Sequence, residues 1–288
     1  MLNKFLKIGN KKIFLGKKTI IMGILNVTPD SFSDGGKFFS KDSAVKQAIK
    51  MEKEGADIID IGGESTRPGA KKVTLDEELK RVIPIINELN KKIRIPISVD
   101  TYKSKIAKEA IERGASMIND ITALRGDKNL SKIIAEYNIP ICLMHMKGMP
   151  QNMQINPTYN KVLTEIYAFL KERAEFAISS GIKKEKIIID PGIGFGKRTG
   201  EGIEDNCEII SRISELKSLG FPIMIGVSRK TFIGNICGKT KPLPVIDRLE
   251  GSLAAAGIAA CNGADIIRVH DVKETRRFFD ILDSIIRR

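Results

Sequence analysis

Ile95-Pro96-Ile97-Ser98-Val99-Asp100 is a short, nearly continuous apolar run that stops at a carboxylate. A run of about five residues, rich in Ile and Val and apolar on both faces, is what a strand buried on both sides of a parallel sheet requires. Runs of the same build occur at residues 19–25 before Asn26, 57–61 with Asp60 inside it, 115–118 before Asn119, and 139–144 before His145. The series continues at residues 186–189 before Asp190, 222–227 before Ser228, and 265–269 around Arg268 and ending at His270. Antiparallel neighbours would be joined by tight turns, whereas these runs are separated by tens of residues, enough for a helical crossover.

The intervening stretches read as helices. Residues 43–54 place Ala44, Val45, Ala48, Ile49 and Met51 at helical spacing and end at Gly55, and similar glycine stops stand at Gly114, Gly181, Gly220 and Gly263. Glycine takes the left-handed backbone that ends a helix without a Cβ penalty. Eight strand–helix units in 288 residues fit a closed (β/α)8 barrel, read as a single domain spanning 1–288 because no composition shift marks a second one. Residues 1–18 fall outside the repeat, and Gly9-Asn10 between two short apolar stretches suggests a hairpin closing the barrel bottom. Long irregular stretches at 28–42, 64–74, 147–157, 192–206 and 229–245 all follow strands, on the face where barrels of this kind keep their chemistry.

The net charge of +13 is spread over scattered pairs such as Lys11-Lys12 and Lys183-Lys184, with aromatics at 6% and no Trp. That is a solvated basic exterior, so no nucleic-acid partner is expected. Cys142, Cys207, Cys237 and Cys261 have no metal-clip spacing and are expected as free, buried thiols in a reducing, cytoplasmic setting. No apolar stretch approaches a membrane span, and residues 1–12 lack the apolar core of a signal peptide, so no membrane partner is expected.

A single polar residue at a strand end is most simply a helix cap. In a closed barrel, however, Asn26, Asp60, Asp100, Asn119, Asp190, Lys230, Arg268 and His270 all reach one mouth. Three Asp and one Asn deep in an apolar barrel offer acceptors that suit a flat, donor-rich heterocycle such as an aminopyrimidine. Arg67, Lys230, Arg268 and His270 are suited to an anion, so the expected layout has acceptors at one side and cations at the other, around a heterocycle carrying a phosphate or pyrophosphate. Gly192-Ile193-Gly194-Phe195-Gly196-Lys197 has glycine spacing reminiscent of a phosphate loop, but no Lys-Ser or Lys-Thr pair follows. A tight turn that lets Phe195 cover a bound ring is the competing reading. Neither His145 nor His270 belongs to a zinc pattern, whereas Mg²⁺ carried in on a pyrophosphate needs only one or two oxygen ligands, which Asn26 can supply.

The blocks Asn26-Val27-Thr28-Pro29-Asp30-Ser31-Phe32-Ser33-Asp34-Gly35-Gly36 and Gly62-Gly63-Glu64-Ser65-Thr66-Arg67-Pro68-Gly69 resemble the first two loops of the dihydropteroate synthase family. The resemblance continues through Ser98 to Thr101, Ile118 to Asp120, Leu143 to Met146, Asp190 to Lys197, Ser228 to Lys230 and Arg268 to Asp271. It implies a (β/α)8 transferase of folate synthesis that joins 6-hydroxymethyl-7,8-dihydropterin diphosphate to p-aminobenzoate, with Mg²⁺ and release of pyrophosphate. By position, Asp100, Asn119, Asp190 and Lys230 resemble the pterin contacts, and Met144 and Phe195 the apolar lining. Asn26, Arg268 and His270 resemble the diphosphate and metal residues, Thr66, Arg67 and Ser228 the aminobenzoate contacts, and Asp34 a loop residue that orders the closed site. The implied catalytic set is Asp34, Asp100, Lys230, Arg268 and His270, acting by dissociative loss of pyrophosphate before attack by the amine.

The family also implies a homodimer through residues 245–261 and 273–286, although the small residues Ala254-Ala255-Ala256-Gly257 equally fit helix packing inside one subunit. The segment 198–206 is longer than the common family form. Two alternatives stay open at this stage: a synthase acting on a modified aryl amine, and a pterin-dependent methyltransferase barrel, which would share Asp100, Asn119 and Asp190 but has no need of a leaving-group apparatus.

Overall fold

Alternation along each strand divides the interior of this protein into two packed regions. The computed structural model describes residues 5–28, 41–65, 69–70, 72–200, 203–238 and 240–287. The chain opens with an antiparallel hairpin, β1 (Phe5–Ile8) and β2 (Lys11–Phe14), turning at Gly9-Asn10. Then come β3 (Ile20–Asn26), α1 (Lys41–Lys53), β4 (Ile58–Gly62), α2 (Leu75–Lys92), β5 (Ile97–Asp100), α3 (Ser104–Glu112), β6 (Met117–Asp120) and α4 (Leu130–Tyr137). The second half runs β7 (Ile141–Met144), α5 (Val162–Ser179), β8 (Ile187–Asp190), a two-residue ribbon of β9 (Thr199–Gly200) and β10 (Ile203–Glu204), and α6 (Asp205–Ser211). It ends with β11 (Met224–Ile225), α7 (Thr231–Cys237), α8 (Leu249–Cys261), β12 (Ile266–Val269) and α9 (Val272–Ile286).

The sheet order is β11-β12-β3-β4-β5-β6-β7-β8, parallel throughout, and a parallel bridge between Ile189 and Ile223 joins its two edges into a barrel. The apolar runs therefore became strands as expected, each buried on both faces. Residues such as Ile21, Ile59, Val99, Ile118, Leu143 and Ile267 point outward into the main core under the helices. Their neighbours Ile20, Met22, Ile58, Met117, Cys142, Ile188, Met224 and Ile266 form a second, smaller cluster, and Leu6 and Ile8 of the hairpin pack into it. The expected plug is thus built from the buried face of β1, whose burial alternates while β2 stays largely exposed.

Every glycine read as a helix stop has positive φ: Gly55 98°, Gly114 112°, Gly181 91°, Gly220 80° and Gly263 115°. Helix α2 begins with the Thr74 hydroxyl accepting from Glu77 N at 3.3 Å, carries Asp76, Glu77 and Glu78 in its first turn, and ends on Lys91 and Lys92. Charges so placed complement the helix dipole. The small residues late in the chain serve the subunit's own packing, since a Cβ on Gly257 would stand 2.7 Å from Phe278 Cζ on α9. The thiol expectation needs correction: all four cysteines are free, but only Cys142 is buried, while Cys207, Cys237 and Cys261 are exposed on the helical layer. No helix among the described residues is long and apolar enough to cross a membrane.

Candidate active site

Strand register gathers the polar strand ends. Asn26 pairs with Gly62, Gly62 with Asp100, and Asp100 with Asn119, so one row across β3 to β6 carries an amide, a bare backbone, a carboxylate and an amide. A Cβ on Gly62 would meet Asn26 Oδ1 and Asp100 Cβ at 3.6 Å, an ordinary contact distance, so Gly62 lies directly between these two side chains. Across the mouth, Arg268 of β12 donates from Nε to Asp60 Oδ2 at 2.7 Å and from Nη2 to Asp100 Oδ2 at 3.0 Å. Asn119 Nδ2 donates to the same Asp60 oxygen at 3.0 Å.

These bonds revise the expected layout. Acceptors and cations are not on opposite sides; Arg268 is interleaved with the carboxylates. Asp60 is fully buried and engaged by Arg268 and Asn119 through Oδ2, so that oxygen supports the site from below. Asp60 Oδ1, Ser98 Oγ and Asn119 Oδ1 are buried without a protein partner. An unmet buried acceptor costs on the order of 1–3 kcal/mol, so these oxygens favour a donor-rich guest or bound water.

Two strands from Arg268, past β11, lies the end of β8. Asp190 Oδ1 accepts from Gly192 N at 2.7 Å, and burial pushes its carboxyl up to about 6 despite that bond and the nearby lysines. Burial likewise raises Asp100 above the ordinary carboxylate range, against the opposing charge of Arg268. Lys230, half-buried at the start of α7, is pulled down to about 8 by burial and then by Arg268, while Asp190 and Asp100 act to raise it. Its ammonium lies 4.1 Å from the centre of the Phe195 ring, a cation–π contact. Phe195 packs with Met144, Ile121, Met146 and Met153, so the two expected apolar residues do share one wall, and Ile121, Met146 and Met153 are additions to it.

Ser228 and His270 also meet. Ser228 Oγ accepts from His270 N at 3.2 Å and lies 3.0 Å from His270 Nδ1, which orients the ring and leaves Nε2 for a ligand. Burial first, then Arg268, lowers His270 to about 3. It is a neutral imidazole here, not the cation expected from the sequence, and can offer an anion a hydrogen bond but not a charge. Asp34, Thr66 and Arg67 lie outside the described residues. The ends of the loop holding Thr66 and Arg67 are tied together by Lys103, whose Nζ donates to Glu64 Oε2 at 2.7 Å, Glu78 Oε2 at 2.6 Å and Val73 O at 2.7 Å. Beside Asp100 a cavity of about 170 Å³ opens between this loop and those after β5, β6 and β7, lined in part by Tyr102, Thr122, Arg125 and Met149.

Loop supports were the part the sequence reading missed. Asp120 is fully buried and accepts from Thr122 N, Thr122 Oγ1 and Leu124 N at 2.6–2.7 Å, holding Ala123 and Leu124 at φ of 51° and 63°. Non-glycine residues rarely adopt that backbone, and no glycine marks it in the sequence. The extended segment is the β9–β10 ribbon, clamped at its base where Arg198 grips the Asp205 carboxylate, with Nη2 to Oδ1 at 2.9 Å.

Such a mouth, with an arginine bridging the carboxylates of two neighbouring strands and a lysine over an aromatic ring, fits the class that the chain matches over residues 22–270, the pterin-binding enzymes. Dihydropteroate synthase of Clostridium beijerinckii is 47% identical over 98% of this chain and 100% of its own. Among solved structures, Yersinia pestis dihydropteroate synthase in a sulfonamide drug complex superposes with a TM-score of 0.90 at 41% identity, over 98% of both chains. The Xanthomonas albilineans enzyme with 4-aminobenzoic acid gives a TM-score of 0.90 at 40% identity, again over 98% of both. The chain belongs to the dihydropteroate synthase family, the transferases of folate biosynthesis that condense a dihydropterin diphosphate with p-aminobenzoate and release pyrophosphate. The methyltransferase alternative is thereby set aside.

Proposed function

We propose that the pterin of the family's reaction is held between Asp100, Asn119, Asp190 and Lys230, with Met144 and Phe195 against its faces, and that its diphosphate lies toward Asn26, Arg268 and His270. One observation carries this reading: Arg268 bonds Asp100, while the Lys230 ammonium lies over the ring of Phe195 in the loop that Asp190 ties down at the end of β8, so groups from β5, β8, the start of α7 and β12 surround one space. Asp60, Asp100 and Asp190 outweigh Lys230 and Arg268 in formal charge, which suits positive charge developing on a pterin methylene as its C–O bond breaks and pyrophosphate leaves with the electron pair. The amine nitrogen then bonds to that carbon and gives up a proton. No covalent intermediate is required, and the hydroxyl–imidazole contact of Ser228 with His270 serves here to orient the ring. His270 and Lys230 donate to the departing anion.

Mg²⁺ fits as a passenger of the diphosphate. Among the described residues no group of His, Cys, Asp or Glu could hold a metal unaided, whereas Asn26 offers one amide oxygen beside the open backbone of Gly62. When bound, the ion supplies charge neutralisation for the leaving group. Thr66, Arg67 and Ser228 take the acceptor amine in this reading, with Asp34 closing the first loop. The 4-aminobenzoic acid and sulfonamide complexes of the relatives support p-aminobenzoate over a modified aryl amine. Purified protein given pterin diphosphate, p-aminobenzoate and Mg²⁺ should form dihydropteroate and pyrophosphate in equal amounts; absence of product with p-aminobenzoate but turnover with another aryl amine would replace the acceptor.

A homodimer through α8 and α9 belongs to the same proposal, supported by Ile258, Ile281 and Ile285, which are 54%, 65% and 61% exposed on those helices. A reducing, cytoplasmic setting is supported by the four free thiols.

A further inference from the structure

Lys197 heads the largest side chains that are fully buried in this protein. Its ammonium donates to Gly192 O at 2.8 Å and Phe195 O at 2.9 Å, and lies 3.1 Å from His145 Nδ1. The three N–H donors of a charged lysine are thereby matched by three acceptors. His145 can accept because burial and the neighbouring cations lower it to about 2, leaving a neutral ring. The backbone is shaped for this arrangement. Gly192, Gly194 and Gly196 alternate at φ of 69°, 77° and 60°, and a Cβ on Gly192 or Gly196 would come within 1.9 or 2.2 Å of the carbonyl oxygens of His145 or Lys147. The loop therefore lies flat on the chain leaving β7, with carbonyls turned inward to the ammonium. The glycine run does not present its lysine to a phosphate; the lysine points back into its own loop.

We propose that Lys197 is a positioning residue that fixes the Phe195 ring against the pterin and, through that ring, the place of the Lys230 ammonium. The inference rests on the proposed placement of Phe195 in the pterin pocket. A lysine here is costly for folding: burial pulls it down to about 7, with Asp190 and Asp205 offsetting and Lys230 and Lys147 opposing. An apolar side chain would fill the volume without that cost. What it could not do is bind Phe195 O directly. The loop is also held by Phe195 N donating to Gly192 O at 3.1 Å, Gln154 Nε2 to Gly194 O at 2.5 Å, Gly194 N to Asn206 Oδ1 at 2.7 Å and Tyr159 OH to Gly196 O at 2.6 Å, but none of these bonds reaches the Phe195 carbonyl.

The test is a double-mutant cycle read by calorimetric titration of the dihydropterin into the folded full chain, with thermal melting measured alongside. Lys197→Met is expected to weaken pterin binding about 10-fold in the native background and to have no further effect in Phe195→Ala, the sign of action through a shared partner. A purely structural lysine would lower the melting temperature but leave the affinity of the folded protein alone, and that result would overturn the proposal. Equal losses in both backgrounds would overturn it too. If Phe195→Ala itself leaves pterin affinity intact, the placement of Phe195 is wrong; if that variant binds weakly while Lys197→Met binds normally, only the role of Lys197 is wrong. Should the methionine variant not fold, Lys197→Gln, which keeps two N–H donors, is expected to show a smaller loss of about 3-fold with the same dependence on Phe195, and a loss independent of Phe195 would refute the proposal.

Discussion

Arg268 of β12 touches carboxylates on two neighbouring strands, the fully buried Asp60 within β4 and Asp100 at the end of β5. Replacing Asp60 by Ala would leave the guanidinium with Asp100 alone and strip Asn119 Nδ2 of its acceptor. The expected cost is about 3 kcal/mol of stability, measurable by urea unfolding, since a buried charge has lost a partner. A loss below about 0.5 kcal/mol would show that Asp60 does not hold the mouth together. Asp190 and Asp100 carry the pH dependence. Burial raises them to about 6 and about 7 in the free protein, and a guest that donates to the ionised forms must draw those protons off. Pterin affinity should therefore fall as pH drops from 7 through 6, by about tenfold per unit for each carboxyl that has become protonated. Pterin titrations in buffers of different ionisation enthalpy at pH 6 check this, and a heat independent of buffer would speak against it. The raised pKa of Asp190 has the opposite sense for folding: that carboxyl's contribution favours the native state at low pH and is lost as pH rises through about 6.

At the scale of elements, strands and their polar stops were legible because a buried parallel strand admits almost only apolar residues until it reaches the mouth. Asp100, Asn119 and Asp190 stood out for that reason. Helix stops were legible because Gly55, Gly114 and Gly181 sit at backbone angles that side chains disfavour. The supports beneath the site were not. Asp120 shapes its loop with Ala123 and Leu124 in place of glycines, and nothing in the glycine run tells that Lys197 turns back onto its own carbonyls. Nor does sequence say which charges pair, so Arg268 was expected as a free cation although it is shared between Asp60 and Asp100. The β1 hairpin was legible as a plug from its turn alone. Leu6 in β1 is 1% exposed against the floor cluster, so Leu6→Ala should destabilise by about 2–4 kcal/mol while KM for both substrates holds. Denaturant unfolding beside steady-state kinetics separates the two, and an altered KM at unchanged stability would place the hairpin in communication with the mouth.

For the whole molecule, a barrel closed by a single bridge at Ile189 and Ile223 rests on its helical layer as much as on its sheet. The outer isoleucines of α8 and α9 are exposed apolar residues of that layer, as are Phe176 and Ile178 of α5 and Ile236 of α7. Ile281→Glu is expected to turn a dimer into a monomer in sedimentation velocity without changing the fold, and an unaltered sedimentation coefficient would move the interface elsewhere. The charge of +13 belongs to the exterior, while in the mouth one arginine is shared between two carboxylates. The account stands on that mouth being the place where a pterin is held by ionised carboxylates. Its most direct test is calorimetric titration of the dihydropterin into the native protein and into Asp190→Asn at pH 7.5. The account expects affinity to fall at least about 10-fold in the variant, because one amide oxygen replaces a charged acceptor pair. Equal affinities for the two proteins would contradict it.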